Sequence, residues 1–343
     1  MEFLKDDEFR KKISPKLSGA YLFFGEEDYL KARAIDSVRA ALCPDPSLEM
    51  FNLIRFDGLT FGADAFSDAL EPFPMMADKK LILVEGVDIS ALKTADIGAL
   101  CSALDLLREY DYNVVIISVP KDFLDEGNLP KRPSALLLTL SEHLVPVRFA
   151  SVSDSRLAGW IAKHFEHSGV SADRDVCNFI IAYCGKNMTE LALEVEKAAH
   201  YVLSQGKNRV TTDDIRFVCV ASLDADAFLL ANSILDSKHS EALRAVEVMK
   251  YRRIEPIFVL SEVSRVIGDL LCVKVMSDGG KTFTDIVRLL KMNEYKAKLY
   301  LSRVSGKSHD KLKKAVDLCS EADMSIKLGA NGYLVLEKLI CSL

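Results

Sequence analysis

The pattern of apolar and polar residues changes once along this chain of 343 residues, close to residue 149. Before that point, short apolar runs alternate with stretches in which apolar residues recur every three or four positions. The first pattern predicts buried strands and the second predicts amphipathic helices. Strands that alternate with helices in this way predict a three-layer α/β domain with a parallel sheet. The expected strands are 20–24, 51–56, 81–84, 113–119 and 145–149.

After residue 149 the helical period continues and no convincing strand remains. Glycines such as Gly185 and Gly206 end the apolar faces, and Thr211 begins a polar segment typical of a helix N-cap. The predicted fold class is therefore α/β plus all-α. We expect an α/β domain at 1–149, a small helical domain at 150–219 and a larger all-helical domain at 220–343.

One stretch, residues 63–85, departs from the regular alternation. Its amphipathic helix at 63–70 cannot continue through Pro72 and Pro74, and the next strand begins only at 81. Three large apolar residues are left at a tip between the helix and the strand: Phe73, Met75 and Met76. Such a group is either a local plug or a wedge that enters a pocket of another protein, and both interpretations remain open.

The turn after the first predicted strand occupies the place where a phosphate-binding loop would lie. A P-loop has the pattern G-x-x-x-x-G-K-[ST], whose backbone amides and lysine hold phosphates. Here Gly25 is followed by Glu26, Glu27 and Asp28, and this turn contains no Gly-Lys-Ser/Thr. Because three carboxylates would repel a triphosphate, we interpret Gly25, Glu26 and Glu27 as a degenerate P-loop position that binds no cofactor.

Composition narrows the class of protein. Hydrophobic residues make up 49% and charged residues 27%, which is typical of a globular protein. No apolar run approaches the ~18 residues of a membrane span, and the charged N-terminal stretch does not resemble a signal peptide, so we expect a cytoplasmic protein. The net charge of −6 argues against a broad DNA-coating surface. The eight cysteines form no C-x-x-C pair, so no zinc or other metal site is expected.

Four groups of motifs, taken in order, resemble the delta subunit of bacterial DNA polymerase III, a clamp-loader family of the AAA+ class. Each motif is weak alone, but the four occur in the family's order, and the resemblance covers nearly the whole chain. They match the family's first strand and turn, its tip, its lid and its C-terminal helices. The matching segments are YLFFGEEDYL at 21–30, PMMADKKL at 74–81, GKNMTELALEVEK at 185–197, and YKAK at 295–298 with DMSIKLG at 323–329.

The resemblance implies an AAA+-like α/β domain, a helical lid and a C-terminal collar. The family's delta subunit binds the ring-shaped sliding clamp (the beta subunit) and opens it for loading on primed DNA during replication. It has no ATPase activity of its own and is a subunit of the polymerase holoenzyme, a nucleotidyltransferase complex. By position, Met75 and Met76 would enter a clamp pocket, with Phe73 beside them. The collar would join gamma/tau-type and delta-prime-type subunits, and the chain would lie at the nucleoid during replication.

This sequence differs from the family at the tip, where it has methionines in place of Leu/Phe and an additional Pro72. Methionine is flexible and fills irregular pockets, so a wedge remains plausible. An active AAA+ ATPase is an alternative, but only the segment 85–88 (EGVD) faintly resembles its acidic motif. A delta-prime subunit usually has a four-cysteine zinc site and a Ser-Arg-Cys finger, and neither is found here. An unrelated helical scaffold is the third alternative.

Overall fold

A computed structural model describes residues 3–129, 131–292 and 294–343, without the side chains of 223–225, 228 and 294–296. The side chains of Tyr295 and Lys296, which belong to one of the family motifs, are therefore outside the described set. The backbone forms two compact units, one up to Leu157 and one from Ala158. The finer division into three domains, at 149 and 219, stays a prediction.

The first unit is built on a sheet of six parallel strands. Including two short strands outside this sheet, the described strands of the unit are β1 (Leu4–Lys5), β2 (Gly19–Phe24), β3 (Leu53–Asp57), β4 (Lys80–Glu85), β5 (Asn113–Ser118), β6 (Gly127–Asn128), β7 (Arg132–Pro133) and β8 (Val145–Arg148). The sheet has the order β1-β8-β2-β5-β4-β3, and β6 and β7 form a separate antiparallel pair. The predicted parallel sheet is confirmed, and its central strands β2, β5 and β4 are almost completely buried.

Helices cover both faces of this sheet. They are α1 (Asp6–Lys12), α2 (Asp28–Leu42), α3 (Pro46–Asn52), α4 (Ala63–Leu70), α5 (Thr94–Asp105) and α6 (Ala135–Leu140). Alternate residues of β2 point to opposite faces. Leu22 and Phe24 join the apolar cluster formed with α4, α5 and α6, whereas the Phe23 ring contacts the Phe9 ring of α1 at a centroid distance of 4.9 Å. The predicted three-layer α/β class is thereby confirmed.

The predicted strand at 51–56 was wrong at its start. Phe51 and Asn52 belong to α3, because the Asp45 carboxylate accepts the Ser47 amide and Pro46 occupies the first turn. The strand β3 begins at Leu53, immediately after this helix. The two-residue strand β1 was not predicted at all, since two residues show no period. It pairs in parallel with β8.

The chain after β8 is helical. The helices are α7 (Asp154–His167), α8 (Arg174–Cys184), α9 (Met188–Ser204), α10 (Thr212–Val218), α11 (Leu223–Leu235), α12 (His239–Tyr251), α13 (Pro256–Asp278), α14 (Phe283–Leu290), α15 (Glu294–Val304), α16 (His309–Lys327) and α17 (Gly332–Ser342). Within the described part of the second unit, the only β pairing is a single bridge between Ser171 and Arg209. The predicted cap at Thr211 is confirmed, because its hydroxyl and the Asp214 carboxylate form a capping box.

The long helix α13 is the centre of the larger helical core. One side of it is fully buried against α11, α15, α16 and α17. Its buried residues are Val259, Leu260, Val263, Val266, Ile267, Leu270 and Val273. Spacings of three and four between these positions produce the continuous apolar stripe that the sequence pattern predicted. Among the described residues, no helix is long and apolar enough to cross a membrane.

Candidate functional site

Two candidate sites lie at opposite edges of the parallel sheet. The tip, defined here as residues 71–79, precedes β4 and therefore lies at the amino-terminal edge. The turn that begins at Gly25 follows β2 and lies at the carboxyl-terminal edge. Six strand residues at about 3.3 Å each separate the two edges by roughly 20 Å. The two sites can therefore be considered independently.

The apolar side chains of the tip face solvent. Phe66 and Leu70, on α4, are fully buried and fix the start of the tip. In contrast, the exposed fractions are 80% for Phe73, 50% for Met75 and 86% for Met76. A local plug would bury these side chains, so their exposure favours the wedge. Their role in binding a partner stays a prediction.

The backbone of the tip is held by the buried side chain of Asn52, the last residue of α3. The Met75 N–H donates to Asn52 Oδ1 at 2.7 Å, and Asn52 Nδ2 donates to the Met75 carbonyl at 2.8 Å. The same Nδ2 also donates to the Leu48 carbonyl at 3.1 Å. The amide thus binds both main-chain groups of Met75, as a neighbouring strand would do.

A buried lysine holds the other end of the tip. Lys80 Nζ donates to the carbonyl of Ala69 at 2.7 Å and to that of Pro72 at 2.5 Å, and it lies 5.6 Å from the Tyr112 ring centroid. These carbonyls are at the C-terminus of α4, where a cation is electrostatically favoured. Burial lowers the pKa of the Lys80 ammonium from its usual range.

Two residues near the start of β5 complete this support. The Tyr112 hydroxyl donates to the Glu71 carbonyl, and Asn113 Nδ2 donates to the Leu70 carbonyl at 3.0 Å. The Tyr112 ring also packs against the Phe73 ring at a centroid distance of 4.9 Å. The carbonyls from 69 to 72 and at 75 are therefore all bound internally, and the exposed part of the tip is mainly apolar side chain. This set of supporting residues could not be predicted from the sequence, because its members come from separate segments.

The turn at the opposite edge is closed by the residue that follows β8. The Phe149 carbonyl accepts the Glu27 N–H at 3.1 Å. Gly25 has φ +109°, and a Cβ at this position would lie 2.4 Å from the Phe149 carbonyl oxygen. The helix α2 begins at Asp28, only three residues after Gly25. The Glu27 amide, one of those that would face a phosphate in a P-loop, is therefore already bound within the protein.

The sequence interpretation of this turn missed a lysine at the P-loop spacing. Lys31 lies six residues after Gly25, although Leu30 and Ala32 replace the second glycine and the Ser/Thr. Lys31 is 1% exposed. Its Nζ lies 3.0 Å from the Gly25 carbonyl, 2.5 Å from the Val119 carbonyl and 2.6 Å from Asp28 Oδ1. An ammonium has three donors, and all three are used inside the protein.

The groove beside this turn is acidic. It has a volume of about 600 Å³. Its charged lining residues are Glu26, Lys121, Asp122, Asp125, Glu126 and Arg148. Arg148 is already paired with Glu126 at 2.8 Å. Burial, followed by the neighbouring Asp28 carboxylate, raises the pKa of Glu27. The excess of carboxylates makes this groove unfavourable for a polyphosphate.

One cluster of possible metal ligands lies in the second unit. The donor atoms of Cys184, Glu194 and Cys219 are within 4.8 Å of one another. However, Glu194 is already bound by the Lys197 ammonium at 2.7 Å and by the Val220 N–H at 3.0 Å. A hydrogen bond with Cys184, together with burial, raises the pKa of the Cys219 thiol far above its ordinary value, so the thiolate that a metal requires is disfavoured.

Comparison with known proteins gives consistent matches to one family. A family model described as "DNA polymerase III, delta subunit" matches residues 21–142. A second model, for the C-terminal domain of the same subunit, matches residues 224–343. Together the two models cover more than two thirds of the chain, including the tip and the degenerate turn.

Individual relatives are distant but similar over long stretches. The DNA polymerase III subunit delta of Bacillus subtilis is 22% identical over 324 residues, which are 93% of this chain and 90% of the relative. A probable DNA polymerase III subunit delta of Aquifex aeolicus is 23% identical over 228 residues, 66% of this chain and 63% of the relative. The solved structure of the Bacillus subtilis clamp loader delta protein has the same fold, with a TM-score of 0.57 at 20% identity, covering 98% of this chain and 97% of that one.

Proposed function

Because this chain belongs to the delta-subunit family of DNA polymerase III, a clamp-loader family, we propose that it binds the ring-shaped sliding clamp through its tip and opens it. The observation that carries this proposal is the tip itself, where Phe73, Met75 and Met76 are exposed on a backbone that buried side chains hold in place. The family supplies the partner, and the geometry supplies a surface suited to an apolar pocket.

The binding energy of such a tip comes mainly from burying apolar surface. Full burial of a large apolar side chain contributes about 1.5–3 kcal/mol. Met76 is 86% exposed and Met75 is 50% exposed, so each has apolar area left to bury on docking. Scaled by these fractions, the two methionines would contribute about 2–4 kcal/mol, or about 30- to 700-fold in affinity. A contribution of this size is typical of a hot spot at the centre of an interface.

Opening follows if the tip binds an open clamp more tightly than a closed one. A ligand shifts a conformational equilibrium only by its differential affinity for the two states. In this proposal the chain makes and breaks no covalent bond, and the docking free energy favours separation of the ring interface. A rigid tip suits this role. Because the tip is already ordered before docking, none of the free energy of docking is used to order it.

The proposal includes no ATPase activity for this chain. It is supported by the closed turn at Gly25, by the engaged Lys31 ammonium and by the replacement of the P-loop Ser/Thr with Ala32. The energy for a loading cycle would then come from partner subunits. An active ATPase would need a free lysine and a hydroxyl for Mg²⁺ at these positions.

The proposed partners follow the family. They are the sliding clamp, subunits of the gamma/tau and delta-prime type bound through the C-terminal helices, and primed DNA within the assembled loader. The chain would act in the cytoplasm at the replicating nucleoid, as a part of the polymerase holoenzyme without catalytic activity of its own.

The test is clamp binding by the double variant Met75→Ser/Met76→Ser. We expect a loss of about 30- to 700-fold in affinity with an unchanged melting temperature, since neither side chain is in the core. The matched control is Met324→Ser, which changes another exposed methionine, on α16. It should bind the clamp as the unmodified chain does. A double variant that melts early and still holds the clamp would restore the plug interpretation and direct attention to Phe73.

A further inference from the structure

The paired hydrogen bonds between Asn52 and Met75 are the basis of a further inference, which rests on the proposed function of the tip. Asn52 is 1% exposed, although its side chain is polar. Its Oδ1 accepts the Met75 N–H at 2.7 Å and its Nδ2 donates to the Met75 carbonyl at 2.8 Å. A buried amide with both ends engaged by one residue is a specific arrangement, because each unpaired group would be costly.

The tip has few other means of fixing Met75. Pro72 and Pro74 have no N–H with which to form backbone hydrogen bonds. Met76 has φ 51°, a left-handed conformation that is uncommon for a residue with a side chain and that needs support from its surroundings. The contacts of Lys80, Tyr112 and Asn113 reach the carbonyls from 69 to 72 and end before Met75. Among the described residues, Asn52 is the one whose side chain forms hydrogen bonds with the backbone of the stretch from 73 to 77.

We propose that Asn52 is a positioning residue for clamp binding. It does not contact the clamp in this proposal. It holds the Met75 main chain so that the Met75 and Met76 side chains are presented to the clamp in one conformation. Without Asn52, the tip would sample several conformations in the free protein, and binding would have to pay for the ordering of the segment. Asn52 thus links α3 to a surface about 20 positions later in the chain.

The test compares Asn52→Ala and Asn52→Gln in the full chain. Alanine removes all three hydrogen bonds, whereas glutamine keeps the carboxamide, with its acceptor and its donor, on a side chain that is longer by one methylene. We expect the clamp affinity to fall about 10- to 100-fold for alanine and by less for glutamine. Deuterium exchange of the Met75 amide should rise in the same order, which is a readout that a merely structural role elsewhere would not move.

The matched control is Asn187→Ala in the second unit. The Asn187 carboxamide caps α9 by accepting the amides of Thr189 and Glu190, and it belongs to the second unit, whereas the tip belongs to the first. Its loss should lower the melting temperature and leave clamp affinity unchanged. In the Met75→Ser/Met76→Ser background, Asn52→Ala should have no further effect on clamp affinity, because nothing remains for Asn52 to position.

The possible failures are distinguishable. If the unmodified chain does not bind the clamp, the proposed function is wrong. If the unmodified chain binds, the double methionine variant does not, and Asn52→Ala binds as tightly as the unmodified chain, only the positioning role is wrong. If Asn52→Ala does not fold, Asn52→Gln decides: a normal affinity together with faster Met75 amide exchange would overturn the inference.

Discussion

Replacing Lys31 with methionine tests whether the lysine at the P-loop spacing is a structural residue. Methionine has a similar length without the charge, so the aliphatic packing is largely kept while the ammonium is lost. In the folded chain, that ammonium binds the carbonyls of Gly25 and Val119 and the Asp28 carboxylate. A lysine whose ammonium served only to bind a nucleotide phosphate would be dispensable for folding. A lysine whose ammonium binds three groups inside the protein is needed for stability.

The expected loss follows from the two buried carbonyls. A buried polar group left without a partner costs about 1–3 kcal/mol, so two carbonyls cost about 2–6 kcal/mol. The Asp28 side chain is 57% exposed, so losing that ion pair adds little. Removing a buried charge regains part of its desolvation cost, which lowers the expected net loss to about 2–4 kcal/mol. This is a large share of the roughly 5–15 kcal/mol that stabilises a typical domain.

Urea unfolding of the full chain, followed by circular dichroism, measures this loss. Lys12→Met is the matched control at an exposed position of α1, where a change within about 0.5 kcal/mol is expected. Saturating Mg-ATP should stabilise neither protein, whereas a ligand at about 100 times its Kd would add about 2.7 kcal/mol. An unchanged Lys31→Met midpoint, together with stabilisation of the unmodified chain by Mg-ATP, would refute the structural role.

Three further predictions concern the rest of the chain. Gly25→Ala should destabilise the first unit by more than about 1 kcal/mol, because of its positive φ and the nearby Phe149 carbonyl, whereas Gly62→Ala, which meets open space, should be nearly neutral in thermal melts. Burial raises the pKa of Tyr300 to about 12, so the folded state keeps this proton longer than the unfolded state. The contribution of neutral Tyr300 to the free energy of unfolding is complete below about pH 10 and should fall by about 2–3 kcal/mol toward pH 12. Urea titrations at each pH measure this decline, which the Tyr300→Phe variant should lack. A fragment 158–343 should show a purely helical circular dichroism spectrum, and appreciable strand signal would contradict the assignment.

Most of the fold could be predicted because its elements are long or strongly patterned. The strand at Asn113–Ser118 is a run of β-branched residues, and α13 repeats its apolar positions over six turns. The mistakes fall where the pattern is short. Phe51 resembles the start of a strand, but the Asp45 cap and Pro46 place it in α3. The strand Leu4–Lys5 has two residues and no period at all.

The site could be predicted only in part. The prolines and the apolar residues at the tip are local features, so the sequence showed that Phe73, Met75 and Met76 would stand between a helix and a strand. Their support could not be seen, because Asn52 reaches Met75 across 23 positions and the fold alone brings them together. Lys31 was within reach of the sequence, since its spacing from Gly25 is that of a P-loop lysine. However, Leu30 and Ala32 break the P-loop pattern on both sides of Lys31, so a search for the complete motif does not identify it.

The most direct measurement is opening of the sliding clamp by this chain without nucleotide. A clamp labelled with a fluorophore pair across its subunit interface reports separation of the ring, and the chain is titrated into it with no ATP and no other loader subunit. We predict a saturable opening signal that is lost with Met75→Ser/Met76→Ser and kept with Met324→Ser. A ring that stays closed at saturating chain, or that opens equally well with the double methionine variant, would contradict the proposal that the tip opens the clamp.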